Sequence, residues 1–342
     1  MKRPSRSDVT PRSWAKAKAD LEVAYATALG TTIIGKSEEI LKGPLGKTLK
    51  GKVQLVFTSP PFPLNRKKRY GNLEGNKFKA WLKGYAKQLK DLVAADGSIV
   101  IEMGNAWQPR LPVMSTLALE TLLAFKREAG LYLCQEFIWY NPAKLPTPAQ
   151  WVTIERIRVK DAFTRLWWLS PSPRPKADNR RVLIPYSDAM RSLLKTKKYN
   201  AGLRPSHHNI SATSFLKKNR GAIPPNVLSY GGATGNLLIG SNTHNVDPYY
   251  DYCKTLGVVP HPARMPIDLA KFFIQLCTEP GDLVLDPFAG SNTTGAAAEA
   301  LGRRWVAVEA EAEYAKASLG RFPSLWDRSR AVKGARPRSG SR

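Results

Sequence analysis

Two short segments of this chain carry residue types that can act together on a ligand. The first is Thr58-Ser-Pro-Pro-Phe62. Successive prolines fix the backbone and remove two N–H groups, so the Ser59 hydroxyl and the Pro60 carbonyl are preset acceptors, with Pro61 stiffening the turn and Phe62 offering an aromatic face. Two such acceptors match an exocyclic amino group on a nucleobase, which has two N–H donors and a lone pair delocalised into the ring. Hydrogen bonds from both N–H groups would hold the amine, favour a more tetrahedral nitrogen and aim its lone pair at an electrophile. A bare Ser-Pro-Pro is also a common rigid turn after a strand, so this segment needs a companion to mean more.

The companion is Asp286-Pro-Phe-Ala-Gly-Ser-Asn-Thr-Thr-Gly295. A small-residue turn between a strand and a helix makes an anion- or nucleotide-binding corner, because backbone N–H groups at a helix start lack partners and glycine lets a ligand approach. Gly290 and Gly295 have P-loop spacing, but Ala296 stands where that loop carries its phosphate-binding lysine, which removes a nucleoside triphosphate. Ser291-Asn292 breaks the GxGxxG pattern of a dinucleotide site. What remains is a nucleoside without phosphates, and Glu309 is placed to accept hydrogen bonds from two ribose hydroxyls. That combination describes S-adenosylmethionine better than ATP or NAD.

The elements that must position these segments are apolar strands alternating with helical stretches. Val53-Gln-Leu-Val-Phe57 runs into the first segment and Asp282-Leu-Val-Leu-Asp286 into the second, while Ser98-Ile-Val-Ile-Glu102 and Trp305-Val-Ala-Val-Glu309 are further strands. A helix is expected from Thr293 to Leu301, stopped by Gly302. The pattern predicts an α/β fold with a doubly wound, mostly parallel sheet and ligand sites at the strand C-termini.

The chain holds 53 Lys and Arg against 27 Asp and Glu, a net charge of +26 over 342 residues, with 43% hydrophobic residues. Such a chain buries a core, and its excess charge points to a polyanionic partner. No apolar run is long enough to span a bilayer, and the basic N-terminus has no apolar stretch of a secretory signal. Cys134, Cys253 and Cys277 are too widely spaced for a CxxC site, so no metal is expected and a reducing cytoplasm is. His207 and His208 lie in a basic loop without a Cys or acidic partner at ligand spacing. Residues 141–230 carry 17 Lys or Arg and 4 Asp or Glu, half of the net charge of the molecule. Trp151, Trp167 and Trp168 interleave with that charge, as expected of a nucleic-acid-reading insertion on irregular structure.

With His261-Pro-Ala-Arg-Met-Pro266 between the basic middle and the second segment, the chain resembles the site-specific DNA amino-methyltransferases, in particular the permuted beta class. In that family the catalytic motif comes first, a target-recognition region follows, and the S-adenosylmethionine motifs come last. The resemblance covers most of residues 31–327 and implies that Ser59, Pro60, Pro61 and Phe62 form the catalytic pocket. It implies further that Asp286, Phe288, Gly290, Ser291, Thr293 and Glu309 bind S-adenosyl-L-methionine, with His261 and Pro262 closing on its methionine part. The remaining cofactor strand is then Thr31-Thr-Ile-Ile-Gly35. Lys36 follows where many relatives carry an acidic residue, so no contact is assigned there.

Three methylation chemistries separate on physical grounds. Carbon-5 methylation of cytosine needs a thiolate, usually from a Pro-Cys pair, and no proline precedes any of the three cysteines. The family's adenine-N6 enzymes usually begin the motif with Asp or Asn, whereas Ser59 resembles the cytosine-N4 type. The expected reaction is transfer to cytosine N4 in double-stranded DNA by base flipping and direct in-line attack. Adenine N6, an RNA substrate, and a DNA-binding protein that has lost catalysis are the alternatives. Recognition is expected in residues 186–255, where Arg191, Lys195, Lys197 and Lys198 precede Arg204, Lys217, Lys218 and Arg220. The catalytic domain then spans 21–185 and 256–327, between basic tails at 1–20 and 328–342. A cognate restriction endonuclease is a possible partner, and the expected location is the cytoplasm, with the nucleoid DNA.

Overall fold

The structure, a computed structural model, describes residues 21–60, 75–229 and 248–326. Pro61, Phe62 and both basic tails lie outside the described residues, as does the stretch 230–247 of the expected recognition region. In chain order the strands are β1 (Val23–Ala26), β2 (Gly30–Ile34), β3 (Val53–Thr58), β4 (Val93–Met103), β5 (Tyr132–Tyr140), β6 (Phe163–Ser170), the short β7 (Gly202–Leu203) and β8 (Asn209–Ile210), β9 (Val227–Ser229), β10 (Leu283–Asp286) and β11 (Arg304–Glu309). The helices are α1 (Ser37–Ile40), α2 (Pro44–Leu49), α3 (Gly75–Leu92), α4 (Leu117–Glu128), α5 (Asp188–Thr196), α6 (Pro248–Leu256), α7 (Ile267–Cys277), α8 (Thr293–Ala300) and α9 (Ala312–Ala317). Among the described residues no helix is long and apolar enough to cross a membrane.

One sheet runs in the order β1-β2-β11-β10-β3-β4-β6-β5-β9. The block β2-β11-β10-β3-β4 is parallel throughout, with Val306 opposite Thr31 and Leu285, and Leu285 opposite Val56. The expected strand at Thr31 to Gly35 is present as β2, and it lies beside β11. Every residue of β3 and β10 is buried, which explains why both are mostly apolar, with Gln54, Thr58 and Asp286 as the polar exceptions. Alternate residues serve opposite faces. Leu283, Leu285, Val306 and Val308 pack with Leu82 and Leu89 of α3, while Val284, Trp305 and Ala307 pack with Phe273 of α7 and Ala297 of α8. Each such large apolar side chain, fully buried, contributes roughly 1.5–3 kcal/mol. This is the expected doubly wound, mostly parallel sheet.

From β3 the chain crosses through α3 to β4 on one side, and from β10 it crosses through α8 to β11 on the other. The gap between β3 and β10 is therefore a topological switch point, where open α/β sheets bind ligands. Both expected motifs leave the sheet there.

Part of the basic middle belongs to this sheet, which corrects the expectation of irregular structure at residues 163–170 and of a nucleic-acid-reading role for their tryptophans. Strand β6 pairs antiparallel with β4 and β5. Its Trp167 packs on one face of the sheet and Trp168 on the other, and both are buried. The Trp168 indole donates to Ser98 Oγ at 2.9 Å and the Trp167 indole to Glu136 at 3.1 Å, so both polar tips are satisfied inside the fold. Trp151 is buried as well. These aromatics are core, not stacking platforms.

Candidate active site

Thr58 ends β3 and Asp286 ends β10, and the two buried side chains join these neighbouring strands. Thr58 Oγ1 donates to Asp286 Oδ1 at 2.9 Å across 228 positions of sequence. Asp286 Oδ2 accepts from Thr294 Oγ1 at 2.6 Å, and Oδ1 also accepts from the Phe288 amide at 3.1 Å. Burial pushes the Asp286 carboxyl up to about 6 against the pull of these hydrogen bonds. Asp286 is therefore the joint that holds the two motifs at one place on the sheet edge. Thr58 and Thr294, which complete the joint, stand inside the two motifs, but nothing in their type or spacing points to this bond.

Ser59 and Pro60 follow immediately, Pro60 buried and Ser59 partly so. The Ser59 hydroxyl is hydrogen-bonded to the carboxyl of Glu102, near the end of β4. Burial raises that carboxyl to about 7, opposed by the Ser59 hydrogen bond and the positive charge of Lys144, and reinforced by the negative charge of Asp286. At sequence level Glu102 reads best as a structural hydrogen-bonding residue at a strand end. Its bond is to the proposed catalytic hydroxyl itself, because β3 and β4 are adjacent with Thr58 opposite Ile101. Trp139 is buried on β5, and Tyr140 ends the strand exposed.

The second motif closes a compact corner. Glu309 ends β11, and its carboxylate accepts from the Gly290 amide at 2.7 Å and the Glu311 amide at 2.9 Å. Burial raises the Glu309 carboxyl while these two amides hold it down. Gly290 has φ +52°, and a Cβ there would meet the His261 ring at 3.0 to 3.2 Å, so both backbone and space select glycine. The His261 amide donates to Tyr249 Oη at 2.9 Å, and its ring stands edge-on to Tyr314 at 4.7 Å. His261 is thereby placed against the glycine turn; Pro262 beside it is exposed.

Asn292, in left-handed backbone at φ +53°, caps α8 by accepting the Gly295 amide at 3.0 Å. Its amide nitrogen donates to Tyr25 Oη at 3.0 Å and Thr32 Oγ1 at 3.1 Å, which ties the turn to the N-terminal strands. Ser291 Oγ and Thr293 Oγ1 lie 3.3 Å apart, and Arg321 donates to Ser291 O at 3.2 Å and to Oγ at 3.1 Å. Phe288 is framed by Trp81 at 5.7 Å and Tyr85 at 5.2 Å, two α3 aromatics that sequence reading missed. The Tyr85 hydroxyl donates to Ser37 Oγ at 3.0 Å and is held well above its ordinary range by burial. Only the helical spacing of Trp81 and Tyr85 hints at this wall, and any core helix shows such spacing.

The basic residues of 186–226 form no comparable constellation. Arg191, Lys195, Lys197, Lys198, Lys217, Lys218 and Arg220 are exposed and Arg204 is half-buried. Arg191 is paired with Asp188, and the Arg204 guanidinium lies over the Tyr199 ring at 5.8 Å. Lys197, at φ +53°, ends α5.

A family model described as DNA methylase matches residues 53–319. Type II methyltransferase M.PvuII of Proteus hauseri is 42% identical over 301 residues, which is 87% of this chain and 85% of that protein. The solved structure described as PvuII DNA methyltransferase (cytosine-N4-specific) superposes with a TM-score of 0.68 at 34% identity, over 93% of this chain and 97% of that one. A Thermus thermophilus protein solved in complex with S-adenosyl-L-methionine shares the fold, with a TM-score of 0.50 at 20% identity over 85% of this chain and 92% of that one.

Proposed function

The chain belongs to the DNA methylase family, and from that premise we propose that it is a site-specific enzyme that moves a methyl group from S-adenosylmethionine to the N4 amino group of a cytosine flipped out of duplex DNA. The observation that carries this reading is the Thr58–Asp286 joint, which sets the Ser59-Pro60 acceptors beside the corner of Phe288, Gly290 and Glu309. The family relationship to a cytosine-N4-specific enzyme across most of the chain supports the choice of base and atom.

The corner fits the cofactor on its own chemistry. Gly290 permits the tight left-handed turn against the His261 ring, Phe288 gives an aromatic wall, and Glu309 keeps lone pairs for ribose hydroxyls beyond its two amide partners. No lysine stands at position 296 to hold phosphate. When bound, S-adenosylmethionine supplies an electrophilic methyl group, so the chain needs neither a strong base nor a nucleophile of its own. Ser59 and Pro60 hold the amine by its two N–H groups. Glu102 accepts the Ser59 proton in a hydrogen bond, which leaves the lone pairs of the hydroxyl oxygen turned towards the amine. Positioning of this kind is where most of the rate enhancement arises. Burial pushes the Cys277 thiol up to about 12 and raises Cys134 as well, the opposite of what a thiolate route to carbon 5 needs.

The exposed basic residues of 186–220 supply phosphate contacts. A companion endonuclease that cuts the unmethylated sequence, and a place beside the cytoplasmic DNA, complete the reading. Methylation-sensitive sequencing of DNA from cells that express the protein tests it: N4-methylcytosine is expected at one fixed sequence. Methyl groups on adenine N6, or none at all, would overturn it.

A further inference from the structure

Two loops outside residues 186–255 leave the sheet at the catalytic edge. One is 104–116, after β4. The other is 141–162, between β5 and β6, and its ends sit at the same edge because Tyr140 pairs with Phe163 and Met103 with Arg165. Lys144 of the second loop pairs with Asp161 at 3.4 Å and lowers the Glu102 carboxyl by its charge, so the loop begins within electrostatic reach of the site.

The two loops are tied into one unit. Trp107 meets Trp151 with ring centroids 5.3 Å apart, and Arg158 Nε donates to Pro112 O at 3.0 Å. The Ile157 and Arg158 amides both donate to Trp151 O, at 2.9 and 3.2 Å, and Lys160 Nζ donates to Pro142 O at 2.6 Å. A segment tied down this well nevertheless leaves Ile154, Ile157 and Val159 at 66%, 48% and 87% exposure. Beside them, Arg110 and Arg156 are exposed and held in left-handed backbone, at φ +63° and +59°. That conformation is uncommon for a side-chain-bearing residue and marks functional segments. Exposed apolar tips on a segment that also presents exposed arginines match a nucleic-acid groove lined by phosphates. A second copy of the chain would bring like charges together.

We propose that this two-loop unit is a second DNA-contacting element, which presses Ile157 and Val159 against the bases beside the target while Arg110 and Arg156 meet phosphate. Apolar side chains that enter a base stack offset the cost of unstacking, so the unit stabilises the duplex with the cytosine turned out. The inference rests on the reading that duplex DNA is the substrate.

Its test uses the full chain and two duplexes of about 30 base pairs that contain the methylated sequence, flanked by enough backbone for phosphate contacts. In one the target cytosine is paired with guanine; in the other it faces an abasic site, so no pair has to break. Ile157→Ala/Val159→Ala is expected to lower kcat/KM at least tenfold on the paired duplex and less than threefold on the abasic one. Arg110→Ala/Arg156→Ala is expected to flatten the dependence of log affinity on log salt by up to ~2 units. Unchanged kcat/KM on the paired duplex, or equal loss on both duplexes, would overturn the apolar role, and an unchanged salt slope would overturn the phosphate role. Failure of the wild-type chain to methylate either duplex would instead overturn the proposed function.

Discussion

The corner around α8 and the segment around α5 use helices of similar length for opposite ends. In α8, Thr293 to Ala298 are buried and the polar groups at the helix start are bonded within the protein, through Asn292, Asp286 and the neighbouring strands. In α5 no residue is buried, and the helix carries Arg191 and Lys195 into solvent. A buried turn held by hydrogen bonds within the protein has few arrangements and penalises any change of volume or hydrogen bonding. An exposed basic helix tolerates substitution and acts through its summed charge. The same molecule thus pairs a rigid corner, the proposed seat of the chemistry, with a permissive basic segment, the proposed contact to phosphate.

The sharpest way to break the contrast is to attack the corner. Gly290→Val forces a branched side chain into left-handed backbone and into the His261 ring, and Glu309→Ala strips the Gly290 and Glu311 amides of their acceptor. Both variants are expected to lose S-adenosylmethionine binding in calorimetry while they retain nonspecific DNA binding. Unchanged cofactor affinity in both would remove the corner from the site. Ser59→Ala comes next: loss of one hydrogen bond at the reacting amine should cost ~2–4 kcal/mol of transition-state stabilisation with cofactor and DNA affinity nearly intact. Near-normal single-turnover rates in that variant would reassign the catalytic hydroxyl.

A smaller effect concerns Glu102, whose carboxyl is raised to about 7 in the folded protein. A raised carboxyl binds its proton more tightly folded than unfolded, so it lowers stability as pH climbs from the ordinary carboxylate range to about 7, and the loss is complete above that. Glu102→Gln is therefore expected to flatten this part of the stability profile and to be the more stable protein at pH 8, by ~1–3 kcal/mol in denaturant unfolding. The rate of transfer by the wild type should rise through the same pH window as the carboxylate becomes the better acceptor for Ser59. A rate profile identical in the variant would separate Glu102 from the chemistry.

The smallest effect is expected in the permissive segment. Neutralising Lys197 and Lys198 should flatten the salt dependence of DNA affinity by up to ~2 units, at ~0.9 per phosphate, with cofactor affinity unchanged. A change in cofactor binding without a change in slope would join the two regions that the contrast separates.

How much of this was legible beforehand differs between the same two regions. The cofactor corner is local: strand, glycine turn and helix follow one another within Leu283 to Ala300, so pattern and turn chemistry suffice. The parallel strands announced themselves through continuous apolar runs, since both faces are covered. Strand β6 did not, because its tryptophans lie between basic, proline-rich stretches that read as irregular, and its burial depends on pairing with β4 and β5. The tryptophan stripe looked like a nucleic-acid platform for the same reason that it packs well: a large amphipathic ring suits either environment.

Sequence by itself therefore determined the residue types at the site, the order of the motifs and which segments form the strands of the core, all of which are read from stretches of a few to a few tens of residues. Tertiary structure alone decided that Thr58 meets Asp286, that Glu102 stands behind Ser59, and that Trp81 and Tyr85 wall Phe288. Those partners come from separate strands and helices. Which of them meet depends on strand order, and strand order is settled by packing the whole sheet rather than by any one segment's pattern.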